Sequence, residues 1–133
     1  MRRLGYLLAA LLVGCGADAR APGVRIIDGD TIAIAGEHIR LLDIDAPERG
    51  KRARCKAEWV WAEQARDALA AEVNGAQDIR LERYGLDRYS RTLARVYADG
   101  RNVGEDMIAA HMAVRYGYGK PDWCRMAATG ASR

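Results

Sequence analysis

The sequence predicts one mixed α+β domain, mainly β with helices, and three observations carry that reading. Short apolar runs of β-like length recur between Gly, Asp and Pro. One longer stretch, residues 57–74, is rich in Ala, Glu and Leu and repeats apolar residues every four positions, as a helix requires. The order is three strands, a helix, two strands and a short helix, without internal repeats. The chain has 133 residues, enough for a single modest core. It has no Phe, so Leu, Ile, Val, Tyr and three Trp must fill that core.

The first nineteen residues stand apart. Arg2 and Arg3 precede the apolar run 4–14, LGYLLAALLVG, which is too short to span a bilayer and fits the core of a secretory leader. The run ends in Leu12-Val13-Gly14-Cys15. This looks like a bacterial lipobox, in which Cys15 would be acylated and would anchor the mature chain to a membrane. Ordinary cleavage after Ala17-Asp18-Ala19 is the rival. Either route places the protein outside the cytoplasm: periplasmic, membrane-anchored or secreted. It also leaves two of the three cysteines, Cys55 and Cys124. In an oxidising compartment such a pair is expected as a disulfide, with two free structural thiols as the alternative. The expected organisation is a leader at 1–19, a folded domain at 22–124 and a tail at 125–133. The formal net charge of +3 permits an anionic partner without requiring one.

Strands are expected at 24–28, 31–35 and 38–44, forming a meander whose second turn is Ala35-Gly36-Glu37. Residues 49–56, RGKRARCK, are read as an exposed, mobile basic loop. In the helix that follows, Trp61, Ala65, Leu69 and Val73 form the apolar stripe, and Gly75 is expected at C′. Strands at 78–83 and 92–98 come next. Asn102-Val103-Gly104-Glu105 resembles a capping box for a short helix reaching about Met112. Five strands interrupted once by a helix are compatible with an OB-type barrel.

Polar residues inside this frame suggest chemistry. Asp30 follows a Gly in the first hairpin, and Asp45 ends the strand that returns beside it. Paired antiparallel, the two carboxylates reach one end of a barrel and form, with a backbone carbonyl, an all-oxygen site. Such a site suits Ca²⁺, with Mg²⁺ as an alternative, and does not suit Zn²⁺. Asp-Gly-Asp is also ordinary turn chemistry, which is the preferred reading for Asp28. Glu48, lifted off the strand by Pro47, could orient or deprotonate a water beside a metal, or could be a solvated loop acid. Arg40 sits inside an apolar strand and must find a partner or point out of a barrel mouth. With Arg91 it could form a phosphate clamp, since forked guanidinium donors match phosphoryl oxygens; surface ion pairs are the alternative. Tyr116 and Tyr118 alternate with glycines and could stack a base or pack the core. His38 and His111 lack ligand-like spacing. No phosphate-binding loop and no G-x-S-x-G elbow is present in the sequence.

Together, IDGDTI at 27–32, IRLLDIDAPE at 39–48 and DRYSRTLARVYADGRNV at 87–103 resemble the staphylococcal-nuclease-like (thermonuclease) family. YGYGKP at 116–121 is a weaker fourth block. The resemblance covers nearly everything after the leader. It implies a five-stranded OB-fold barrel with a helix inserted after strand 3 and a short helix after strand 5. It also implies Ca²⁺-dependent, sugar-nonspecific hydrolysis of phosphodiesters in DNA and/or RNA, cleaving the 5′ P–O bond to leave 3′-phosphates. Carried over by position, Asp30, Asp45 and the carbonyl of Ala46 would bind Ca²⁺. Arg40 and Arg91 would hold the phosphate, and Glu48 would position or activate the water. Arg88, Tyr89, Tyr116 and Tyr118 would contact the nucleotide. Ala46 replaces a hydroxyl residue of the founding member, Asp43 stands at an apolar position, and the usual last helix is expected to be absent. Cys124, bridged to Cys55, would pin the tail instead. A monomer is expected. The competing readings are a single-strand-binding module that does not cut and a structural Ca²⁺-binding surface domain. Glu48 with Arg40 and Arg91 argues against both.

Overall fold

A computed structural model describes residues 23–130. Cys15, the leader and the two candidate processing sites lie outside the described residues. Among those described, no helix is long and apolar enough to cross a membrane.

The meander forms as its turns dictate. Strands β1 (Val24–Asp28), β2 (Thr31–Ile34) and β3 (Glu37–Leu41) pair antiparallel in sequence. Ala35 and Gly36 both have positive φ, 50° and 84°, as a two-residue hairpin turn between right-twisted strands requires. The third strand is shorter than expected. Asp43 adopts a left-handed φ of 68°, which breaks the run, and Ile44–Asp45 resumes as a separate strand, β4.

Helix α1 (Lys56–Asn74) starts one residue earlier than expected. Its stripe of Trp61, Ala65, Leu69 and Val73 is buried as the spacing demands. Each large apolar side chain so buried contributes about 1.5–3 kcal/mol relative to exposure. Gly75 is the C-cap itself, with φ −84° and ψ −10°, so the left-handed freedom expected of a C′ glycine is not used. The basic stretch after Glu48 is better tied than the expected mobile loop. Gly50–Arg52 is a 3₁₀ turn, and Arg49 reaches the Ile27 carbonyl (2.7 Å) and Glu63 (2.8 Å).

Strands β5 (Ile79–Leu86) and β6 (Thr92–Ala98) pair antiparallel, and β6 runs parallel to β3. Two short strands follow, β7 (Arg101–Asn102) on β6 and β8 (Val114–Arg115) on β4. Between them, α2 (Val103–Ala109) is capped by Asn102, whose side chain accepts from Gly104 and Glu105 N–H. The reciprocal half of the expected capping box is missing, because the Glu105 carboxylate pairs with Arg115 (2.8 Å).

The sheet order β1-β2-β3-β6-β5, with β7 beside β6, is mixed and open at its ends, so the expected closed five-stranded barrel is corrected to an open OB-like sheet. Eight strands lie among the described residues instead of five. The three extra ones are two-residue pairings. The expected C-terminal tail is also corrected. Helix α3 (Trp123–Thr129) is capped by Asp122 and packs Trp123 edge-on against Trp61, ring centres 5.0 Å apart. The Cys55–Cys124 disulfide joins α3 to the start of α1, as expected from the cysteine count.

Candidate active site

The first acid is placed by a close approach. A Cβ on Gly29 would stand 2.8 Å from the Ala65 Cβ and 2.9 Å from the Ala46 Cβ. Only glycine lets the β1–β2 turn press against α1 and the 46–47 segment. That contact carries Asp30 inward, where its Oδ2 accepts the Ala46 N–H at 3.0 Å. Thr31 donates its hydroxyl to Asp30 Oδ1 at 3.1 Å.

Arg40, in β3, stands opposite Thr31 in the sheet register. Its Nη1 donates to the carbonyls of Leu41 (2.6 Å) and Ile44 (2.8 Å). Its Nη2 lies 3.2 Å from Asp30 and 3.4 Å from Asp45. One guanidinium nitrogen thus bridges two carboxylates, and the Arg40 and Asp30 side chains are only 13% and 12% exposed. The partner that an arginine in an apolar strand requires is this pair. Burial pushes the Asp30 carboxyl up to about 7; Arg40 pulls against that rise, and the Asp28 charge adds to it. Asp45 is raised too, by burial first, with Arg40 and Lys120 opposing and the charge of Glu58 adding.

Arg91 arrives just before β6, the strand beside β3. Its Nε donates to Asp87 at 2.7 Å and its Nη1 reaches the Thr31 hydroxyl at 3.5 Å. Asp87 also accepts the backbone N–H of Tyr89 (2.8 Å) and of Arg91 (3.0 Å), which shapes the whole turn. Burial works against ionising Asp87, but those N–H groups and the Arg91 guanidinium outweigh it and hold the carboxyl below its usual range. A cavity of about 480 Å³ opens here, lined by Arg40, Asp87, Arg88, Tyr89, Arg91 and Tyr116 among others.

The structure therefore brings Asp30, Arg40, Asp45, Ala46 and Arg91 together, with Arg88, Tyr89 and Tyr116 at the same opening. Asp30, Asp45 and Ala46 do not line the cavity themselves; the two aspartates join it through Arg40, which does. Two further residues lack even that link. Glu48 does not line this cavity; its carboxylate pairs with Arg52 at 3.1 Å, and Arg52 also reaches Asp28. Tyr118 is 87% exposed and is likewise absent from the lining. Three contributors escaped the sequence reading. Thr31 links Arg91 to Asp30, Asp87 organises the Arg91 turn, and Glu58 is buried beside the Glu48 backbone. Of these, Asp87 had a local signal, an acid in a turn four residues before an arginine. Asp43, without a role in the sequence, takes the left-handed turn position and pairs with Arg95 at 2.8 Å.

A second cavity, about 550 Å³, lies between α1 and α3. Lys56 is its one charged lining residue and none of the candidate site residues reaches it.

Comparison with known proteins places the sequence in a family. Residues 38–127 fit the family model described as Staphylococcal nuclease homologue, well over half of the chain. The chain belongs to that family. Relatives include the succinoglycan biosynthesis protein ExoI of Rhizobium meliloti (strain 1021), 38% identical over 85% of this chain and 62% of that protein. The micrococcal nuclease of Shigella flexneri is 36% identical over 83% of this chain and 66% of its own length. An uncharacterized endonuclease of Haemophilus influenzae is 34% identical over 70% and 50%. The chain thus spans about two thirds or less of the length of these three relatives.

Proposed function

We propose that this staphylococcal nuclease homologue hydrolyses phosphodiester bonds in DNA and/or RNA with the help of Ca²⁺. The observation that carries the reading is Arg40 bridging Asp30 and Asp45 at the mouth it shares with Arg91. Like charges brought this close need a positive partner, and burial already lifts both carboxyls. Asp30, Asp45 and the Ala46 carbonyl offer only oxygen, which suits a hard dication and fits Ca²⁺ better than a thiolate-seeking metal. These three groups would hold it. Bound there, the cation would supply neutralising charge next to the scissile phosphate.

The chain's own groups would do the rest. Arg40 and Arg91 present forked donors to phosphoryl oxygens and stabilise charge that grows as the phosphorus becomes five-coordinate. Glu48 would orient the attacking water and accept its proton. The new bond is oxygen to phosphorus, the broken one is P–O5′, and the leaving oxygen is protonated from solvent, leaving a 3′-phosphate. Asp87 fixes Arg91 before substrate arrives, so that ordering is not charged to the reaction. Exposed Tyr89, Tyr116 and Tyr118, with Arg88, would stack or grip neighbouring nucleotides of either sugar type. Relatives whose names say nuclease and endonuclease support the same chemistry.

The test is cleavage of plasmid and single-stranded DNA and RNA with Ca²⁺ or with chelator, with Glu48→Gln and Arg91→Ala alongside. Cutting that needs Ca²⁺ and fails in both variants is expected. Tight binding by the wild type without cutting would point instead to a single-strand-binding module.

A further inference from the structure

Glu58 is 1% exposed, a buried acid with no part in the proposed chemistry. It is the third residue of α1, where the helix N-terminus favours negative charge. Its two oxygens serve two different places. Oε1 accepts the backbone N–H of Glu48 at 3.3 Å, and Oε2 accepts that of Arg54 at 2.8 Å. Glu48 and Arg54 are the two ends of the basic loop 48–54, so one carboxylate closes the neck of that loop. The Arg54 side chain adds charge at 3.6 Å. The main chain that carries this side chain is itself anchored. The Glu58 N–H donates to Cys55 Sγ at 3.4 Å, and Cys55 is covalently joined to Cys124 at the start of α3. A charge left this deep is costly unless fully engaged, and here it is engaged by the backbone of the residue whose side chain must reach the water.

We propose that Glu58 is a positioning residue for Glu48: it fixes the Glu48 main chain through the loop neck and so sets where the Glu48 carboxylate can point. This rests on the reading of Glu48 as the water-orienting group. The loop has other ties: side chains join Arg49 to Ile27 and Glu63, Arg52 to Glu48 and Asp28, and Arg54 to Pro121 and Asp122, while backbone bonds run from Arg52 to Arg49 and from Ala53 to Gly50; none of these engages the Glu48 N–H, which goes to Glu58.

The test is a double-mutant cycle in the full chain, reading Ca²⁺-dependent cleavage of single-stranded DNA. Glu58→Gln keeps shape but turns a donor toward one of the two N–H groups. Glu58→Asp keeps charge but is one methylene short. Glu48→Gln and the Glu48→Gln/Glu58→Gln pair complete the cycle. Terbium luminescence, with the lanthanide in place of Ca²⁺, counts folded sites, and rates are expressed per site. The expected result is a kcat about 10- to 100-fold lower in both Glu58 variants, with KM and terbium affinity within about twofold. Added to Glu48→Gln, the Glu58 change should cost nothing further. Unchanged kcat per site in both Glu58 variants overturns the proposal. So does the same fold-loss from Glu58→Gln with and without Glu48. If Glu48→Gln cuts as fast as wild type, the role given to Glu48 fails and the positioning role falls with it. An inactive Glu48→Gln with an additive Glu58 loss removes the positioning role alone.

Discussion

The two halves of the site are built differently. The inner half, Asp30, Arg40 and Asp45, is held by ion pairs, by two backbone carbonyls and by the Ala46 N–H. The outer half is rings in solvent: Tyr89 is 65% exposed and Tyr116 67%. The inner groups have lost their rotamer freedom during folding, so substrate need not order them. In the proposed reading the outer side chains would lose theirs on binding a strand. Groups fixed beforehand act on rate, and groups ordered by the ligand act mainly on affinity. The division also fits the proposed function, in which the site would place one phosphate accurately while tolerating any base.

The strongest challenge to this contrast goes beneath the inner half. Cys55→Ser with Cys124→Ser opens a loop spanning 69 residues, and the chain-entropy model gives about 4 kcal/mol of lost stability. Thermal unfolding with and without reductant measures it, and an unchanged melting temperature would show that α3 does not brace the site. Next comes Asp30→Asn, which keeps shape and removes charge. A kcat about 100- to 1000-fold lower is expected, together with weaker terbium binding, since preorganised charge is the largest contributor in such sites. Near-normal turnover would remove Asp30 from the chemistry. Gly29→Ala sharpens the same point from the backbone. Its methyl must displace the Ala65 or Ala46 side chain, and an overpacking cost of about 1–3 kcal/mol is expected in urea unfolding, with slower cleavage. Smallest is Tyr118→Ala on the outer side, where KM should rise about fivefold at unchanged kcat, the scale of one weakened base stack. A fall in kcat there would erase the division between halves.

What the sequence discloses follows the same line between local and distant causes. Strand β6 is found at its expected bounds, and the α1 stripe is buried as spaced, because alternation and helical period are written in neighbouring residues. Strands β4 and β8 pair Ile44 with Arg115, a match no local pattern announces. Helix α3 was hidden by its short length, although Asp122 caps it by accepting the Arg125 N–H. In the site, Arg40 and Asp45 are legible because charge inside an apolar run is anomalous, whereas Asp30 stands in an ordinary Asp-Gly-Asp turn and is marked out only with its neighbours in the motif. Asp43 is not, since its partner Arg95 lies 52 residues away. Glu58 is indistinguishable in sequence from any acid near the start of a helix; only its burial sets it apart.

The parallel pairing of β3 with β6 has a consequence for how the molecule comes into being. Ile39 meets Thr92 there, and Arg91 is the residue just before that contact. A growing chain that has already made its meander and long helix still lacks the second guanidinium, and closing so wide a loop is entropically slow. Under the proposed function, competence to cut would therefore appear only once β6 has been made and paired with β3, and a shortened product ending before β6 would be inert.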